Sequence, residues 1–145
     1  AQEVHRHLFA THTVEKVAFL AKVLSEIDYF GEKQIAVLHL TEKDLEDHNL
    51  DMDDSRDVID MLMNIQSLQA AALFKDDGDG KFKLSLRSKG LIEVLGVAED
   101  FGGGGHLYAS GAYIEGSYPQ IKKKVVELLL SRLDSIDNVP KPSQK

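Results

Sequence analysis

The sequence predicts an α/β domain, a single mixed sheet of about four to five strands with helices packed on it. Three observations carry that expectation. Segments with apolar residues at helical spacing alternate with short runs that are β-branched or alternate in polarity. The stretch Asp-Asp-Gly-Asp-Gly at 76–80 separates two strand-like runs and supplies the residues a tight hairpin turn needs. The 145 residues, 43% hydrophobic and 28% charged, suit one globular domain with one core.

Residues 13–28 read as an amphipathic helix. Val14, Val17, Ala18, Ala21, Leu24 and Ile27 share one face, and Glu15, Lys16, Lys22 and Glu26 take the other. Gly31 closes that segment. Residues 34–40 (QIAVLHL) are nearly continuous in apolar residues and predict a buried strand. Thr41 followed by Asp44 predicts a capped short helix over 42–48. The acidic stretch Asp51 to Asp57 reads as a loop feeding a helix near 54–63. Residues 67–75 and 81–87 are the strands on either side of the hairpin turn. Val94 to Phe101 predicts a short helix with Val94, Val97, Ala98 and Phe101 turned inward. After the glycines, His106 to Ile114 reads as a strand. Ser117 with Gln120, and Pro119 in the first turn, open a helix through about Leu133. Residues 137–145, with two prolines and no periodicity, are expected to be a flexible tail.

Composition narrows the function classes. No cysteine is present, which excludes disulfides and thiolate metal sites and fits a reducing, cytoplasmic setting. No apolar run approaches the ~20 residues of a membrane span. The net charge of −7 is local: residues 41–60 hold nine carboxylates against Lys43 and Arg56. The rest of the chain is close to neutral, so its C-terminal part is free to meet an anion.

Residues 102–105 are four consecutive glycines followed by His106. Each costs roughly 0.5–1 kcal/mol relative to alanine. Three readings stand side by side. The run is a flexible linker; or Gly102 caps a helix and the chain then turns; or successive bare N–H groups form an anion cradle that no Cβ obstructs. A dinucleotide fingerprint needs a strand before the glycines and a helix after, the reverse of this order. A Walker loop needs a Gly-Lys-Ser/Thr ending, which is absent.

The segment FGGGGHLYASG, preceded about 15 residues earlier by KLSLRSKG, resembles the hallmark of the DHH phosphoesterase superfamily. It resembles the C-terminal DHH-associated domain, whose Gly-Gly-Gly-His core is followed by Ala-(Ser/Ala)-Gly. The nearest subgroup comprises cytoplasmic oligoribonucleases and 3′-phosphoadenosine 5′-phosphate phosphatases, some termed exopolyphosphatase-related. That resemblance implies a two-domain hydrolase in which an N-terminal domain holds two manganese ions and performs the hydrolysis. Residues 1–30 would then lead out of that missing domain, and residues 31–136 would form the substrate-binding domain, binding no cofactor itself. Carried over residue by residue, the N–H groups of Gly103, Gly104 and Gly105 would face a phosphate. His106 would hydrogen-bond it, and Arg87, with Ser88 beside it in the SLRS segment, would clamp a phosphate. The implied partners are short single-stranded RNA or a small phosphorylated nucleotide, and the N-terminal catalytic domain, with a homodimer left open and no membrane. Relatives often carry a basic residue and asparagine after the histidine, whereas this chain has Leu107 and Tyr108. Tyr108 could stack on a base or be a core tyrosine. Asp-His-His is absent, so catalytic residues are expected outside this chain, which alone would be inactive. The rival expectation is a non-catalytic nucleotide-binding regulatory or dimerisation module.

Other clusters carry less. Counted from Asp51, an EF-hand would need glycine where Arg56 stands and glutamate where Leu62 stands. His5, His7 and His12 read as surface histidines and His39 as a satisfied core histidine. Lys122 to Lys124 reads as a helix-surface run.

Overall fold

The computed structural model describes residues 13–48 and 52–137. Helix α1 (Val14–Ser25) opens on Thr13, whose side chain accepts the Lys16 N–H at 3.1 Å. It ends three residues earlier than its periodicity suggests, because Asp28–Phe30 leave as a short strand, β1, antiparallel to β2 (Ile35–Leu40). Helix α2 (Glu42–His48) has the expected reciprocal cap. The Asp44 N–H donates to Thr41 Oγ1 and the Thr41 N–H donates to Asp44 Oδ2, each at 3.2 Å. Burial opposes the charge on Asp44. Hydrogen bonds from Lys22 and Thr41 outweigh it and hold the carboxyl below its ordinary value.

Helix α3 spans Met52–Met63, so most of the stretch read as an acidic loop is helical; Asp51 lies outside the described residues. Strands β3 (Ala70–Asp76) and β4 (Lys81–Ser88) form the predicted hairpin, with Gly78, Asp79 and Gly80 all at positive φ. Helix α4 (Leu95–Asp100) leads into β5 (Gly104–His106). Then come β6 (Ala109–Glu115) and the long helix α5 (Tyr118–Asp137). The single strand expected over 106–114 is thus the turn and long arm of a hairpin. Of the segment read as a tail, Asp137 ends α5 and residues 138–145 lie outside the described residues, as do His5, His7 and His12.

One mixed sheet has the order β1-β2-β3-β4-β6-β5, with β2 and β3 parallel and every other pair antiparallel. The expected four to five strands are six. The additional ones, β1 and β5, are three residues each and lie at the two edges.

The period of two along the strands divides the core into two layers. On one face Val37, Ala72, Phe74, Phe82, Leu84 and Leu86 are buried beneath α4 and α5, against Val97, Val125 and Leu129 among others. On the other, Ala36, Leu38, Leu40, Ala71 and Leu73 are buried beneath α1 and α3, against Phe19, Leu20, Val58, Ile59 and Leu62. Each such leucine or phenylalanine contributes roughly 1.5–3 kcal/mol. The second cover stops at β3. Beyond it, β4, β6 and β5 keep one face bare, and that bare half-sheet positions the site.

Candidate functional site: a cationic groove on the bare half-sheet

Residues on the bare face can be read off the register. Arg87 lies opposite Ala109, which lies opposite His106; Ser85 lies opposite Gly111, which lies opposite Gly104; Lys83 lies opposite Tyr113. The middle row is therefore made of small residues only. It forms the floor of an open groove of about 630 Å³, flanked on β4 by Lys83 and Arg87 and closed at its far side by Gly102 to Gly105. Neither cation pairs with a carboxylate among the described residues; Arg87 donates one N–H to the Leu86 carbonyl at 2.9 Å. Four guanidinium N–H donors remain for an anion.

The four glycines have different reasons to be glycine. Helix α4 ends in a Schellman motif: the Gly102 N–H donates to the Glu99 carbonyl at 3.0 Å and the Gly103 N–H to the Ala98 carbonyl at 2.8 Å. Gly102 takes the left-handed turn at φ +79°. A Cβ on Gly103 would lie 2.1 Å from the Gly111 carbonyl oxygen. Gly105 combines φ +135° with a Cβ position 2.7 Å from the Ala109 carbonyl oxygen. Gly104 alone has none of these constraints: its φ is not left-handed and a Cβ there would meet nothing within 4 Å. The linker reading fails, since the run is held by a helix cap at one end and a strand ladder at the other. The cap reading holds for Gly102 and Gly103. The Gly103 N–H is therefore taken up by the cap, and Gly104 and Gly105 lie within strand β5.

The hairpin is fixed from behind. The buried Ser110 hydroxyl donates to the Val94 carbonyl at 2.9 Å, and the Val94 N–H donates to the Leu107 carbonyl at 2.7 Å. Gly111 is close to β4: a Cβ there would reach within 2.6 Å of the Leu84 carbonyl oxygen.

Two of the expected contact residues lie away from the groove. Ser88 falls on the face of β4 opposite to Arg87. Its hydroxyl donates to the Ile92 carbonyl at 2.6 Å and accepts the Gly90 N–H at 3.1 Å, so it is engaged in the turn after β4. Tyr108 sits at the β5–β6 turn, outside the groove. The tyrosine that lines the groove is Tyr113, 71% exposed. His106 is exposed at the sheet edge, in the row of Arg87 but two strands away, about 10 Å. Lys83, Ser85 and Tyr113 were missed, although the alternation KFKLSLRS places Lys83 and Ser85 on the face of Arg87. His39 is satisfied as expected: its Nε2 lies 2.6 Å from Asp76 Oδ1 and its ring stacks on Tyr118 at 3.9 Å. Among the described residues no three His, Asp or Glu side chains converge to hold a metal ion, so manganese finds no fitting ligand set there.

Fold and groove together define a single-sheet α/β domain with one open, cationic face. The chain belongs to the DHHA1 domain family, whose model matches residues 32–136. It is 34% identical over 87 residues to a probable bifunctional oligoribonuclease and PAP phosphatase NrnA of Streptococcus mutans serotype c, covering 60% of this chain and 27% of that protein. It is 29% identical over 103 residues to a membrane protein-large ribosomal subunit bL9 fusion protein of Aster yellows witches'-broom phytoplasma, covering 71% of this chain and 11% of that protein. The chain thus spans only a minor part of the length of these curated relatives. Among solved structures, an exopolyphosphatase-related protein from Bacteroides fragilis superposes with a TM-score of 0.78 at 22% identity, over 94% of this chain and 40% of that one. At that identity the likeness speaks for the fold alone.

Proposed function

We propose that the bare half-sheet is the substrate-binding face of a phosphoesterase, holding a phosphorylated nucleotide or short RNA while a separate domain performs the hydrolysis. Gly104 carries the reading. The fold needs glycine at its three neighbours and not at Gly104, yet Gly104 completes a floor of small residues beside Arg87 and Lys83. A floor of Ser85, Gly111 and Gly104 lets a phosphate approach the backbone. Arg87 grips it through two parallel N–H bonds, Lys83 adds charge, and Ser85 offers a hydroxyl. Tyr113 provides a face on which a base stacks. Bringing charge and orientation to a bound phosphoester is how such a domain aids a reaction whose nucleophile comes from elsewhere. The relationship to oligoribonuclease and PAP phosphatase supports the nucleotide as ligand.

Calorimetric titration of the chain with adenine nucleotides and inorganic polyphosphate tests this. Saturable nucleotide binding that weakens with salt and is lost in Arg87→Ala is the expected result. Binding that is unaffected by Arg87→Ala would place the site elsewhere.

A further inference from the structure

The groove does not end at β4. Where α3 crosses the strands it continues into a smaller, more enclosed pocket of about 130 Å³, the room of about four water molecules at ~30 Å³ each. A nucleotide is too large to enter it. Two kinds of wall meet there: Ile59 and Leu73 are apolar, while Arg56, Lys75, Lys83 and Arg87 are cationic. Such a lining suits a small anion that carries a short apolar group. Lys83 borders both the pocket and the groove. Lys75 of β3 lies directly opposite it, a pairing that places their Cβ atoms about 4.5–5.5 Å apart and costs stability between like charges. Both lysines are half-buried, and neither has a carboxylate partner among the described residues. Lys16, Lys22 and Lys122, by contrast, are each tied to an aspartate.

We propose that this pocket is a modification site, in which Lys83 is acylated by a short-chain acyl phosphate. The cations of α3 and β4 hold the phosphate, and the acyl chain rests on Ile59 and Leu73. The carbonyl carbon then lies beside the Lys83 amine, and reactants held side by side react far faster than at their bulk concentrations. Lys83 first releases its ammonium proton to solvent. Nζ attacks the carbonyl carbon, and the bond from that carbon to the phosphate oxygen breaks with its electron pair on the phosphate. A second proton passes from Nζ to the departing phosphate, so the products are an amide and hydrogen phosphate. The amide carries no charge, which ends the like-charge opposition to Lys75 and removes one of the two cations flanking the groove. Acylation is thereby a switch on ligand binding, a consequence that rests on the reading of the groove given above.

Incubating the 145-residue chain with acetyl phosphate, and following each lysine by peptide mass spectrometry, tests it. Lys83 gains its acetyl group about tenfold or more faster than Lys123 and Lys124, which are exposed on α5 and have no carboxylate partner among the described residues. Excess inorganic phosphate suppresses that preference, and the uncharged N-hydroxysuccinimide ester of acetic acid does not show it. Arg56→Gln brings Lys83 down to the rate of Lys123, and Arg87→Ala serves as the second variant should the first lack the native circular dichroism spectrum. Equal rates at the three lysines, or a preference that the uncharged ester reproduces, overturns the site. The switch is read by calorimetry with AMP on Lys83→Gln, whose side chain is an uncharged amide: binding weakens about threefold or more and its salt dependence flattens. AMP affinity unchanged in that variant overturns the switch and leaves the modification site standing. Failure of the wild-type chain to bind AMP overturns the groove reading, and the switch with it, while the acylation rates still decide the site.

Discussion

Replacing Gly104 separates binding from folding more cleanly than any other change in the glycine run. With open space around its Cβ position and no left-handed φ, Gly104→Ala introduces no clash and no backbone strain. Removing a glycine restricts the unfolded chain, so stability holds or rises by roughly 0.4–1 kcal/mol. Valine, a good strand former, is tolerated equally well. The new side chain nevertheless stands over the floor that Gly111 and Ser85 continue, in the space the proposed phosphate would take. Loss of hydrogen bonding to a charged group costs about 1.5–3 kcal/mol, roughly a 10- to 150-fold weaker Kd, with alanine intermediate and valine worst. Gly103→Ala is the counter-experiment. Its Cβ meets backbone at 2.1 Å, and such overpacking costs about 1–3 kcal/mol of stability. Thermal unfolding followed by circular dichroism, and calorimetry on the folded variants, measure both halves. Undiminished affinity in folded Gly104→Val would refute the site; a large loss of Tm in that variant would refute the conformational reasoning.

The remaining expectations are more compact. Arg87→Ala lowers nucleotide affinity about 10-fold or more, while Tm shifts little, because among the described residues its side chain makes one hydrogen bond, to the Leu86 carbonyl. Tyr113→Ala weakens an adenine nucleotide by ~1–3 kcal/mol and Tyr108→Ala does not, a reversal of the sequence expectation that paired titrations resolve. Asp44 is held below its ordinary value in the folded state, so its contribution to stability is present above the unfolded value near ~3.9 and is lost as pH falls through the folded value; Asp44→Asn flattens that acid limb in urea titrations. The chain alone hydrolyses neither a model phosphodiester nor adenosine bisphosphate with added manganese, and turnover persisting through stringent purification would overturn the assignment of chemistry to another domain.

Much of the scaffold was legible because its signals are local. The Thr41–Asp44 cap, the 76–80 turn, the buried strand at 35–40 and the apolar stripe of α5 each need only neighbouring residues to be recognised. The edges were not. Asp28–Phe30 continues a helical pattern, and Gly104–His106 has the composition of a loop, glycine being depleted in strands. Both become strands only because a partner strand offers its hydrogen bonds, which is tertiary information. Gly102 can be read as a cap from its place after a helix, whereas the close approaches at Gly103 and Gly105 and the open space at Gly104 depend on the neighbouring strand. Ser88 beside Arg87 shows the same limit: adjacent residues in a strand point to opposite faces, so nearness in sequence does not bring the two side chains to one surface.

The two short edges have a consequence for how this domain survives at high concentration. An open sheet ends in unpaired N–H and C=O groups that invite a strand from another molecule. Here the outermost strands are three residues each, and one of them reads Gly-Gly-His, a poor template for a growing ladder. The long strands β3 and β4 each have a neighbour on both sides, and β6 has β5 beside its first three residues, Ala109 to Gly111. A lengthened or valine-rich outer strand next to the groove would therefore exchange solubility for aggregation.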